Sequence, residues 1–396
     1  MSSSNLVRVT LIEETAYGET PAVGDFETAR FTSESLSGTP ETTESAQIRV
    51  DRLSSGQVVT GLTVGGDLNF ELAKEDSLDL FLKSAMLNEW VTSAPVTVDL
   101  TLDIVAKTLT RASGDWNGEV VVGDIITLAG FVATANNTQV QVAEIVSTTE
   151  IRVVLAEGVT FVDETGSGTS FQVADYLTIG TEKKSFSMEK AFLDLTDRAI
   201  NYRGMTVSSM SLSVAFGELA NGTFSFSGND YQPVELAADF ITDGRTINGA
   251  ATSNTMNGSV DMPFIANSAV GQFDDSTFCI QSVTMELDNN LTAQTCIGQI
   301  APDDYSPGTA AISVSLSAYL ADGNWDILAK KLSQEPFAIG FLIRNVDGFY
   351  GFYMPAVQVS FEDPASPGQN QDVILDMSGT AKVGANGESS LRIYRS

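Results

Sequence analysis

Residues 205–228, MTVSSMSLSVAFGELANGTFSFSG, alternate with a period of two on both sides of an Asn221-Gly222 turn, and this constrains the fold more than any other feature of the chain. Met210, Leu212, Val214 and Phe216 share one side, which Phe224 and Phe226 continue, and they are expected to face a core. The other side carries Ser209, Ser211, Ser213, Thr223, Ser225 and Ser227. A solvent-facing strand ordinarily scatters Lys, Glu and Arg for solubility. Here every such position is a hydroxyl.

Composition narrows the class. With 43% hydrophobic and only 18% charged residues, the 396-residue chain is expected to be globular and β-rich, in two or three domains. Lys and Arg number 21 against 51 Asp and Glu, a net charge of −30. Such a surface repels polyanions and anionic lipid, whose binding depends on Lys and Arg meeting phosphate, so no membrane binding is expected. The chain contains no histidine, which removes the commonest general base, the Ser-His-Asp and Cys-His arrangements and the usual zinc sites. No catalytic or metal-binding residue is assigned and no cofactor is expected. Cys279 and Cys296 lack a CxxC context and are expected to be small reduced core residues. The start MSSSNLVRV lacks the regions of a signal peptide, and no apolar run is long enough to span a bilayer, so synthesis in a cytoplasm is expected.

A strand followed by a short amphipathic helix occurs twice. Val64, Gly66, Leu68, Phe70 and Leu72 alternate, and Leu78, Phe81, Leu82, Ala85 and Met86 then follow at helical spacing behind Asp76. About 250 residues later Ile312, Val314, Leu316, Ala318 and Leu320 alternate, and Trp325, Leu328, Ala329 and Leu332 form a helical stripe behind Asn324. Val357, Val359 and Phe361, then Val373, Leu375 and Met377, repeat the apolar side of the opening hairpin. The pattern reads as two copies of one sheet-plus-helix unit, residues 1–94 with 181–228, and residues 229–396. Within the first copy, between its helix and its hairpin, residues 95–180 contain short apolar strands broken by Asn117-Gly118, Gly123-Asp124 and Asn136-Asn137. This reads as an inserted small β-barrel or sandwich on the exterior, attached through loops near Pro95 and Gly180 and dispensable for assembly of the parent units.

The non-core strand positions of both copies share the same character. They are Thr63, Asp67, Asn69 and Glu71 with the six hydroxyls above, and then Ser313, Ser315, Ser317, Gln358, Ser360, Glu362, Asp372, Asp376 and Ser378. None is Lys or Arg, which points away from phosphate contact. Ser and Thr also suit exposed antiparallel strands, so the residues alone leave both readings open. A sheet with few protective Lys residues invites edge pairing, and strands that pair between subunits can close into an edgeless ring.

VTGLTVGGDLNFELAKEDSLDLFLKSAM, FSMEKAF at 186–192 and YRGMTVSSMSLSVAFGELANGTFSFSGND resemble the major tail tube proteins of long-tailed, non-contractile bacteriophages. The resemblance implies a mainly β fold, here two tandem tail-tube β-sandwich or barrel units, each with a short flanking helix, plus the inserted β domain. It implies a homo-oligomer stacked as rings whose inner sheets join into a conduit for DNA, with tape measure, tail terminator and tail tip proteins as partners, in the virion tail. Two tandem units imply three chains in a pseudo-six-fold ring, with a six-chain ring as the alternative. Asp67, Asn69, Glu71, Ser209, Ser211, Ser213, Ser313, Ser315, Ser317, Gln358, Ser360 and Glu362 are then the candidate lumen-facing residues.

A different class, an acidic surface-layer or adhesin-type binding protein built of β domains, fits the composition as well. Asn345-Val346-Asp347-Gly348 lacks the rest of a calcium-loop pattern and reads as a hairpin turn. Glu13, Glu14 and Glu19 read as a solvated acidic arm. The arm before Phe31 and the connection from Thr242 to Ser276 hold few apolar residues and are expected to order only against a neighbour.

Overall fold

In a computed structural model of the chain, residues 3–51, 53, 56–155, 161–258, 279–321, 325–366, 368–385 and 387–396 are described. The fold is mainly β. In chain order its principal elements are Val7–Glu13 (β1), Ser37–Glu44 (β2), Gln57–Glu71 (β3), Asp76–Met86 (α1), Asp175–Thr178 (β4), Phe186–Phe192 (β5) and Ala199–Ala215 (β6). Asn221–Gly228 (β7), Ile280–Asp288 (β8), Ala311–Tyr319 (β9), Asp326–Ser333 (α2), Phe337–Asn345 (β10), Gly348–Ser360 (β11), Ile374–Ala381 (β12) and Arg392–Arg395 (β13) follow.

Antiparallel pairing runs β2-β3-β7-β6, and the same order recurs as β8-β9-β12-β11. The two sets join where β6 pairs with β8, so one sheet runs through both. Beyond each set β6 continues onto β5 and β11 onto β10, with a bulge between Phe186 and Met188 in one pair and between Phe337 and Ile339 in the other. The period-two apolar residues form the core: Leu68, Met210, Leu212, Phe224, Met285, Leu316 and Met377 are all buried. Helix α1 packs its expected stripe on this face, with the Phe81 ring 5.2–5.6 Å from those of Phe186, Phe224 and Phe226.

Several expectations are corrected. The N-terminal arm is not left for a neighbour: β1 pairs along its whole length with β5, and Val9 and Leu11 are fully buried. Glu14 is buried as well, and its carboxylate accepts hydrogen bonds from the Ser185 and Ser187 hydroxyls and the Gly18 and Gly204 amides. Thr242 is held by the buried Glu189 at 2.6 Å; residues 259–276 of the same connection lie outside the described residues. Phe216 follows the last residue of β6 and is 78% exposed. Helix α2 packs through Ile327 and Leu328, leaving Trp325 and Leu332 exposed, while Asn324 and the Ala329 side chain lie outside the described residues. Both cysteines are exposed, Cys279 just before β8 and Cys296 in the connection after it.

Residues 96–173 form a separate eight-stranded antiparallel sheet around Leu100, Trp116, Ile126, Val142 and Phe171. It is not hung on loops alone. Ile125 packs with Ala338, Leu342, Phe349, Tyr353 and Tyr394 of the second strand set. Asp124, buried beside them, accepts from Tyr394 OH at 2.9 Å and pairs with Arg392 at 2.9 Å. Strand β4, inside the 95–180 interval, pairs with β13 of the large sheet. Replacing residues 95–173 with a short Gly/Ser linker uncovers this apolar surface and removes the carboxylate partner of Arg392. The shortened chain is expected to melt about 5 °C or more below the intact one, and an equal melting temperature would show that the contact is immaterial.

The start of α1 ties the two sets together. Asp79 accepts from Tyr350 OH at 2.7 Å, Lys74 at 3.0 Å and Arg395 at 2.7 Å. Beside it Glu75 is buried, and burial pushes its carboxyl up to about 7 against the pull of Arg30, 4.0 Å away. A carboxyl raised in the folded state favours folding when protonated. Its contribution is full below the ordinary value of 4.5 and is lost as pH rises through about 7. Glu75→Gln is therefore expected to stabilise the fold by about 2 kcal/mol at pH 8 and to be neutral at pH 4, read from urea unfolding; equal effects at both pH values would rule out this account.

Candidate functional site

The face of the sheet opposite the core is built from cross-strand rows, because partners in an antiparallel ladder point to the same side. One row runs Asn69, Thr223, Ser211, Glu286, Ser313, Thr380, Gln358. The next runs Glu71, Asn221, Ser213, Thr284, Ser315, Ser378, Ser360. Outside these, Asp67, Ser225, Ser209 and Asp288 are aligned on one flank, and Ser282, Ser317 and Asp376 on the other. Eleven of the twelve candidate residues thus share one face. The twelfth, Glu362, lies just past β11 and lines a shallow groove with Thr284, Ser315, Ser317, Ser360 and Asp376. No Lys or Arg occupies these rows.

The hydroxyls are engaged in a consistent sense. Ser225 donates to the Asp67 carboxylate at 2.7 Å, Ser317 to Asp376 at 2.5 Å and Ser313 to Glu286 at 3.5 Å. Thr223 donates to the Asn69 side-chain carbonyl at 2.6 Å, and the Asn69 amide in turn to Ser33 at 2.8 Å. Phosphate offers only acceptors, so a hydroxyl whose proton already points at a carboxylate has little to give it. At these four positions the hydroxyl proton is already engaged by a neighbouring side chain.

Ser282, Thr284, Glu286 and Asp288 of β8, and Thr380 of β12, belong to this face but are not among the sequence candidates. The signal was present, since Val283, Met285 and Leu287 alternate with them as core. What was missing was the pairing partner: β8 lies directly beside β6, across the join between the two sets.

A family model described as phage tail tube protein matches residues 4–381. The chain belongs to the phage tail tube protein family. Comparison with curated proteins gave no match. A tail tube protein is a structural component of the virion tail and not an enzyme, and it self-assembles into a tube alongside other tail proteins. The family match runs through both strand sets and the 96–173 sheet of this tail tube protein alike.

Proposed function

We propose that this chain is the repeating subunit of the tube of a long-tailed, non-contractile phage, and that its hydroxyl face lines the channel through which DNA is ejected. The observation that carries the reading is a single face of hydroxyls and carboxylates, free of Lys and Arg, that continues across both strand sets. The two sets are two tandem tube units, residues 1–94 with 181–228 and residues 229–396, and residues 95–180 form an inserted exterior domain. Three chains, each giving eight strands in the order β2-β3-β7-β6-β8-β9-β12-β11, close into a pseudo-six-fold ring. The join of β6 to β8 supports this, because β8 stands to β9 as β2 stands to β3, so the β2 of a second chain suits the exit of β11. Rings made in the host cytoplasm stack with tape measure, terminator and tip proteins in the finished tail.

Ser213 and Ser315 test the channel assignment, since Thr284 alone lies between them in their row and no carboxylate stands directly opposite either. Ser213→Lys with Ser315→Lys is expected to leave folding and tube assembly intact, both positions being off the core. Ejection of DNA should slow at low salt and recover at high salt, as phosphate contacts are screened. Normal ejection at both salts, from tails confirmed to contain the substituted subunit, would show that this face is not the channel wall.

A further inference from the structure

The connection between β8 and β9, residues 289–310, folds back over the first strand set. The Leu62 amide donates to the Ile300 carbonyl at 2.6 Å, Tyr305 OH to the Gly228 carbonyl at 3.3 Å, and Lys183 pairs with Asp304. Tyr305 is buried by this contact, and Lys183 sits 3.8 Å from the centre of the Tyr17 ring. The second set thus holds the first by a clasp over the end of β7, besides the ladder of β6 with β8 and the contacts at the start of α1.

The first set carries the corresponding element. The hairpin of β2 and β3 leaves the same end of the sheet, and it presents Ile48, Val50, Val58 and Val59 fully or largely exposed. The receiving end also has its counterpart. Gly228 stands opposite Val64 and Gly379 opposite Val314, at matching places in β7 and β12. A Cβ at either glycine would collide with a packed core atom, Met205 Sδ at 2.4 Å or Val357 Cγ1 at 2.6 Å. Just beyond Gly379, Val383 is 64% exposed.

We propose that the β2-β3 hairpin is an intersubunit clasp, whose occupant is a second copy of this chain in the same ring. Its exposed Ile48 and Val50 cover the Gly379–Gly384 end of the neighbour's second set, as Tyr305 and Ile300 cover the Gly228 end of the first set within one chain. The inference rests on the ring reading above, and it assigns the hairpin to contacts around a ring instead of between rings. It also accounts for apolar residues being retained at the tip of an arm in a chain of net charge −30.

The test uses the full chain carrying Cys279→Ser and Cys296→Ser, with Val50→Cys and Val383→Cys added. Tubes are assembled, mildly oxidised and run on a non-reducing gel. The expected result is a covalent product that stops at three chains. A ladder continuing past three would place the hairpin between rings and overturn the proposal. Tubes imaged as stacked three-chain rings that give no crosslink would overturn it too, while leaving the ring reading in place. Failure of the unsubstituted chain to make three-chain rings would sink the ring reading itself, and the clasp with it. A second variant, Ile48→Ser with Val50→Ser, should raise the protein concentration for half-assembly by about tenfold or more without lowering the melting temperature. An unchanged assembly concentration would count against the clasp.

Discussion

The ladder between Ser209–Ala215 and Ser282–Asp288 is the constraint on which the rest of the molecule depends. It converts two strand sets into one sheet, and its core side buries Met210, Leu212 and Val214 against Val283, Met285 and Leu287. A slip of either strand by one residue would turn its three apolar side chains to the hydroxyl face and bring its polar residues into the core, so the register is strongly specified. It also arranges the charge. Glu286 lies between Ser211 and Ser313, Asp288 opposite Ser209, and Asp376 opposite Ser317. No carboxylate in these rows faces another across a strand, which spares the sheet the cost of like charges placed directly opposite. An acidic face of this extent can be built only because each carboxylate is set against a neutral group, most of them donors.

The chain's last strand shows a second way in which distant parts are fixed. Arg392, Ile393, Tyr394 and Arg395 pair with β4 on one edge and β11 on the other. Arg392 and Tyr394 meet Asp124 of the eight-stranded sheet, whereas Arg395 reaches Asp79 of α1 and lies 4.2 Å over the Trp90 ring. Burial raises the Asp124 carboxyl, and Arg392 opposes that shift. Such buried pairs add little stability over an apolar substitute, but breaking one leaves a charge with no partner. Their consequence is positional: the eight-stranded sheet, the first helix and the second strand set can take up one mutual arrangement.

The core and the candidate face were legible in the sequence because a strand's period of two is local. Leu68, Leu212, Phe224 and Leu316 alternate visibly with Asp67, Ser211, Ser225 and Ser315, and each side of the sheet follows. Features that depend on who covers whom were not legible. Phe216 continues the apolar alternation but falls past the strand end, where it is left largely exposed. Glu14 looks like part of a charged arm until two serines and the Gly204 amide are brought to it from more than 160 residues away. Likewise Asp124 follows a turn glycine in sequence, and its role appears only when β13 arrives from the other end of the chain. Helix α2 is a smaller case of the same limit, since a stripe read at helical spacing fixes periodicity but not which side meets the sheet.

On the proposed reading, the face acts on a passing polyanion at two ranges. At distance, Asp67, Glu71, Glu286 and Asp376 repel phosphate, but salt screens that repulsion within about 8 to 10 Å. Long-range repulsion therefore cannot by itself keep a strand off the wall when the two come close. At contact, what decides adhesion is whether the wall offers donors, because phosphate accepts hydrogen bonds and releases counterions only to Lys and Arg. Here the carboxylates have a second effect, drawing the hydroxyl protons of Ser225, Ser313 and Ser317 toward themselves. The same acidic residues that repel at range thus withdraw the donors that would bind at contact. A wall of serine alone would be hydrated but still able to donate; a wall of carboxylates alone would strain the sheet by self-repulsion. Setting hydroxyls beside carboxylates, as at Ser225, Ser313 and Ser317, gives a wall with fewer free donors than serine alone and less self-repulsion than carboxylates alone.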